Sequence, residues 1–170
     1  MTKELNRDGF LMLYNSALAN AGELLEESEL LFEAGKFARA YALAFTAIEE
    51  ISKSQLAADT YTGFITEQCF HENFRDHKKK IGRMAWATDD ATRYLDAPEG
   101  NYVEVEEPKV HHRMAALYVD IDHGRVVAPS DLITSAEAKG IIHTVKVAFE
   151  RIFEMTEVWG HQIGTKGFMK

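Results

Sequence analysis

From Gly35 to Thr60 the chain reads GKFARAYALAFTAIEEISKSQLAADT, and its apolar residues recur at helical spacing. Wound at about 100° per residue, Phe37, Ala40, Tyr41, Ala44, Phe45, Ala47, Ile48, Ile51 and Leu56 gather on one arc of roughly half the circumference. A helix lying on a surface carries a narrower stripe, so this stretch predicts a central helix with others packed on at least two sides. The remaining arc holds a polar seam of Arg39, Thr46, Glu50 and Lys53. A charged seam on a buried helix is the first place to look for function. Glu50 and Lys53, three residues apart, also fit an ordinary surface ion pair.

The flanking sequence continues the helical pattern. From about Asn6 to Ala34, Phe10, Leu13, Ala17, Ala21, Leu24, Leu25, Ser28, Leu31 and Phe32 form one stripe, and the acidic Glu26, Glu27 and Glu29 fall off it. This predicts an amphipathic helix of roughly eight turns, stopped by Gly35 as its C-cap and folded back on the central helix as an antiparallel hairpin. Ala17 and Ala21 are small enough to let the two helices approach closely. After a connector at Tyr61-Thr62-Gly63, a short helix is expected from Thr66 to about Asn73 and a longer one from Phe74 to about Leu95.

Residues 96–108, DAPEGNYVEVEEP, read as a loop, followed by a short helix from Lys109 to Leu117. The run YVDIDHGRVVAPS reads as an extended segment or small hairpin turning at His123-Gly124. Thr134 and Glu137 make a capping box for a last helix that reaches about Gly160. Its stripe keeps the large residues Phe149, Phe153 and Trp159 to the end. The expectation is one all-α domain over residues 1–170. It is an up-and-down bundle of four long helices with one or two short ones and a small extended or hairpin segment near 118–128.

Composition narrows the function classes. The 170 residues are 46% hydrophobic and 27% charged, normal for a globular domain with its own core. A net charge of −8 argues against broad coating of nucleic acid or of an acidic membrane. No apolar run approaches the length of a membrane span, and the first residues lack the layout of a signal peptide. A single cysteine, Cys69, excludes an internal disulfide and suits a reducing cytoplasm, the expected location. It also leaves no cysteine spacing for a metal, and Asp120, Asp122 and His123 read as turn chemistry rather than as ligands. No metal or cofactor is expected.

Two further stretches carry candidate chemistry. RDHKKKIGR, residues 75–83, is the one concentrated basic patch, with five Lys or Arg in nine positions. Arg75, Lys78, Lys79 and Arg83 are its candidate phosphate contacts, unless the run is only a solvated face. His77 shares an inward stripe with Ile81, Met84 and Thr88, which suits either a satisfied core histidine or a site histidine. Arg113 lies beside the inward stripe of its short helix, within reach of an interface.

ARAYALAFTAIEEISKSQL, followed by DHKKKI and then LYVDIDHG, resembles the AbiV family of abortive-infection proteins, part of the wider HEPN group of helical domains. The likeness runs from about Ala19 to the last helix. It marks an H-x-x-K pattern at His77 and Lys80, and it implies a phage-defence or toxin-like role. Many HEPN proteins are metal-independent ribonucleases with R-x(4–6)-H on a late helix, and this chain departs from that motif. Arg113 and His123 have nine residues between them, as do Arg151 and His161, while Arg75 and His77 have one.

Two readings therefore stand. In the first, Glu50, Lys53, His77, Lys80 and Arg113 form a site that cleaves or binds RNA. His77 is then the general acid or base, Glu50 orients it, and the cations hold phosphate. In the second, the same residues are a buried polar network in a non-catalytic bundle that binds a phage or host protein and blocks translation indirectly. The surplus apolar surface of the first and last helices, and the habit of HEPN proteins to pair, both point to a homodimer.

Overall fold

The computed structural model describes residues 5–83 and 110–159. Among them the chain runs α1 (Arg7–Glu33), α2 (Phe37–Tyr61), α3 (Glu67–Phe74), α4 (His77–Arg83) and α5 (Val110–Ala115). A hairpin of β1 (Asp120–Asp122) and β2 (Arg125–Val127) follows, then α6 (Pro129–Leu132) and α7 (Ser135–Trp159). The fold is all-α, as the apolar periodicity requires, with the small hairpin as its one sheet among the described residues.

The helix α2 is the centre. Of the nine residues on its predicted apolar arc, eight are buried, and Phe37 at the N-terminal end is partly so. Its partners lie on more than one side: α1 along most of its length, α7 across it, and α3, α4 and α5 against particular segments. Ala17 and Ala21 of α1 are both buried, and Ala21 shares one core with Ala44 and Ala47 of α2. Tyr41, Phe45, Ile48 and Ile51 form one core with Ile141, Ile142, Val145 and Ile152 of α7. A second core closes the other end of α2, where Phe10 and Tyr14 of α1 meet Leu56 and Phe70. There Phe10 and Phe70 meet edge to face with centroids 5.0 Å apart.

The helix ends follow local chemistry. Gly35, at φ 71°, donates to Phe32 O while Lys36 donates to Leu31 O, a Schellman closure of α1 that turns the chain into α2. Gly63, at φ 76°, repeats the arrangement at the other end of α2, with Gly63 donating to Thr60 O and Phe64 to Asp59 O. The capping box at α7 is formed in both directions: Glu137 N donates to Thr134 Oγ1 and Thr134 N donates to Glu137 Oε2.

Two boundaries differ from expectation. Phe74 ends α3 rather than opening the next helix, because Asp76 caps a new one: its Oδ1 accepts from Lys78 N at 2.9 Å and Lys79 N at 3.2 Å. The continuation of that helix toward Leu95 and the loop at 96–108 lie outside the described residues, as does Gly160. The hairpin turns where expected, with His123 at φ 46° and Gly124 at φ 79°.

Because Gly35 holds a left-handed conformation with open space around it, the cost of a side chain there is purely conformational. Gly35→Ala should destabilise the fold by about 1 kcal/mol in urea unfolding, with the slope of the transition unchanged.

Candidate functional site

At the middle of α2 sits a buried carboxylate. Glu49 is 3% exposed, one helical turn beyond Phe45 and beside Ile48. An unpaired charge at that depth would cost several kcal/mol, so the side chain must find cations. It finds two hydrogen-bond partners, one of them a guanidinium, from two different helices. Arg113 of α5 donates from a terminal guanidinium nitrogen to Glu49 Oε2 at 3.0 Å, and His77 Nδ1 of α4 meets Glu49 Oε1 at 2.6 Å.

Each partner is placed by its own element. The Asp76 cap starts α4 so that His77 and Lys80, three residues apart, share the face turned to α2. Arg113 crosses α2 above the i, i+4 pair Phe45 and Glu49, with its guanidinium carbon 5.7 Å from the Phe45 ring centroid. The Arg113 side chain is mostly covered, and its Nε is buried with no hydrogen-bond partner among the described residues. The His77 side chain is 47% exposed, so its ring bridges the buried carboxylate and solvent. With Nδ1 on Glu49, Nε2 is the nitrogen left to meet a ligand.

Lys80 is 3% exposed beside this cluster. Burial pushes its ammonium below the ordinary lysine value, and the Glu49 carboxylate works against that fall. The neighbouring charge of Lys53 lowers it further, Glu50 raises it, and Arg113 lowers it again. Lys53 and Glu50 pair with each other across one turn of α2, and the Lys53 ammonium stands 5.9 Å from the Phe74 ring centroid. Lys53, Lys80 and Arg113 therefore oppose Glu49 and Glu50, three cations to two anions before His77 is counted.

The expected residues Glu50, Lys53, His77, Lys80 and Arg113 thus come together around α2, with one correction. Glu50 does not orient His77; Glu49 does, and Glu50 is occupied by Lys53. Sequence reasoning missed Glu49 because it looked along the polar seam. The signal was an acid at the edge of the apolar arc, about 20° past Leu56, next to positions that had to be buried. Other buried polar groups were missed for the same reason: Ser52, Ser54, Gln55 and Asp59 all lie in the interior of α2. Ser54 Oγ donates to Ile51 O at 2.7 Å, whereas Ser52 Oγ and Gln55 Oε1 have no hydrogen-bond partner among the described residues.

In the basic segment, Arg75, Lys78 and Lys79 are exposed; the side chain of Arg83 lies outside the described set. Asp120, Asp122 and His123 are exposed at the hairpin, and among the described residues no group of His, Cys, Asp and Glu is arranged to hold a metal ion. Among those residues, too, no helix is long and apolar enough to cross a membrane.

The described residues form an all-α bundle, and a family model assigns the chain to the HEPN-like type. The AbiV model of the HEPN group matches residues 10–150, and the chain belongs to that family. Membership indicates an abortive-infection, phage-defence role of the HEPN type. No curated protein and no solved structure matches the chain.

The Glu49 cluster also sets how Lys80 titrates. Folded Lys80 gives up its proton below the ordinary value of 10.5, whereas the unfolded chain holds it to that pH. Between the two values the unfolded state binds more protons, so this group's contribution to stability rises with pH across that window. Glu49→Gln removes the attraction that holds Lys80 charged. The Lys80 midpoint, followed by side-chain NMR, should move lower still, and the fold should lose about 2 kcal/mol as Arg113 loses its charged acceptor.

Proposed function

We propose that the chain is an abortive-infection effector that acts on RNA in the cytoplasm as a homodimer, through the cluster centred on Glu49. The observation that supports this is the carboxylate gripped from both sides. One oxygen of Glu49 holds a histidine and the other an arginine, so the two residue types of the missing R-x(4–6)-H motif meet in space from α4 and α5.

The chemistry follows from those positions. In metal-independent RNA cleavage the 2′-oxygen attacks the adjacent phosphorus and the 5′-oxygen leaves. One proton must be taken and one supplied. His77, fixed through Nδ1 by Glu49, serves one of these steps through Nε2, and solvent water at the exposed ring serves the other. Arg113 and Lys80, covered beside the ring, supply positive potential toward a phosphate that meets His77 at the surface. Glu49 is a positioning residue: it sets the ring tautomer and keeps the guanidinium in place. The exposed Arg75, Lys78 and Lys79 extend the cationic surface along the RNA backbone.

Purified protein incubated with a single-stranded RNA in EDTA should cut it, and His77→Ala should slow cutting by about 10²–10⁴-fold with the fold intact by circular dichroism. A second reading is favoured by the mutual satisfaction of Glu49, His77 and Arg113 and by the missing motif: a non-catalytic bundle that captures a phage or host protein. Phage protection that survives in His77→Ala, with no RNA cleavage by the wild type, would establish that reading and reject the nuclease.

The basic segment carries its own test. Replacing Arg75, Lys78 and Lys79 with Ser should weaken RNA binding and reduce the slope of log K against log salt by about 0.7 for each phosphate that is no longer neutralised. A wild-type slope in the triple variant would make the segment a solvated face.

A further inference from the structure

One helical turn past its grip on Glu49, the chain reaches a recess that the Glu49 cluster does not use. Arg113 holds the carboxylate, and Ala116 and Leu117, just beyond α5, line an open cavity of about 340 Å³. Its other walls are the first turn of α2, with Lys36, Phe37 and Arg39, and α6, with Ser130. Arg39 also begins the polar seam that continues through Thr46 to Glu50 and Lys53. Ten residues of helix separate Arg39 from Glu49, so recess and cluster stand about 15 Å apart along α2.

Charge singles this recess out. The chain has 27 acids against 19 lysines and arginines, yet no acid lines the cavity. Lys36 and Arg39 are both exposed, and neither is paired with an acid among the described residues. A second groove, of about 520 Å³ between α1 and α7, is lined by Glu26 and Glu29 and repels anions. Two unpaired cations beside a partly covered aromatic ring, Phe37, suit a phosphate with a flat apolar group next to it. The volume is at the low end of what small ligands occupy, so the recess admits one such unit and not a run of them.

We infer that the recess holds one unstacked nucleotide of the same RNA strand whose scissile phosphate meets His77. Its phosphate lies on Lys36 and Arg39, and its base lies against Phe37 and Leu117. Continuity favours one strand over a separate ligand: α2 and the end of α5 wall the recess and also carry Glu49 and Arg113. A backbone that leaves His77 along the seam therefore arrives at the recess. Bases splay onto aromatic rings from single strands, whereas a duplex keeps them stacked. The site thus selects unpaired RNA, and a strand long enough to span from the cluster to the recess.

This inference rests on the RNA reading of the cluster, and the test separates the two. Cleavage is measured on a long single-stranded RNA and on a dinucleotide, whose one phosphodiester cannot reach the recess from His77. Lys36→Ser/Arg39→Ser should raise KM for the long RNA about tenfold with kcat unchanged, and should leave dinucleotide cleavage as in the wild type. Leu117→Trp, which fills the recess without removing a charge, should do the same. Both variants should keep wild-type helicity, because the replaced side chains are exposed. Equal losses on both RNAs, or none on either, would overturn the recess and leave the nuclease standing. If the wild type cuts neither RNA, binding of the long one by fluorescence anisotropy decides. Weaker binding in both variants would keep the recess while the nuclease reading falls. Unchanged binding, or none by the wild type, would overturn the recess as well.

Discussion

A carboxylate on the buried side of the central helix sets the terms for its surroundings. Glu49 cannot stay charged at 3% exposure without donors. The nearest sources are not on its own helix, since Lys53 is engaged by Glu50. They come from the short helices α4 and α5. The hydrogen bond to His77 and the ion pair to Arg113 therefore tie these helices to α2.

The same constraint links packing to chemistry. Arg113 reaches Glu49 by lying over Phe45, so the aromatic ring that fills the core also forms the floor under the guanidinium. Lys80 is carried inward on the face that presents His77, and its burial lowers its proton affinity while Glu49 sustains its charge. A residue with a softened hold on its proton thus sits beside a histidine that reaches solvent. This pairing depends on a cap at Asp76 and on one carboxylate.

Most of the fold was legible in the sequence because it is written in period 3.6. The arc on α2, the stripe on α1, the Gly35 stop, the His123-Gly124 turn and the Thr134–Glu137 box each carry a local physical signature. The site was legible in part. His77, Lys80 and Arg113 could be named, but their common partner could not, because a periodicity argument sorts residues by face and assigns acids to the polar one. Glu50 fitted that assignment and Glu49 violated it. The break between α3 and α4 was expected but set at Asn73–Phe74, because Asp76 was read as part of a charged run, when its short side chain caps the start of a new helix.

The two glycine closures that bracket α2 have a consequence for how this chain can change length. Gly35 closes α1 immediately before α2, and Gly63 closes α2 itself, each in a left-handed conformation. One residue inserted between Gly35 and Glu49 would turn everything before it by about 100° relative to everything after it. The alanine contacts with α1 and the alignment of Glu49 with His77 and Arg113 could not both survive such a turn. Insertions and deletions among natural relatives should therefore be excluded from residues 35–63, and α2 acts as the ruler against which the rest of the family's length variation is measured.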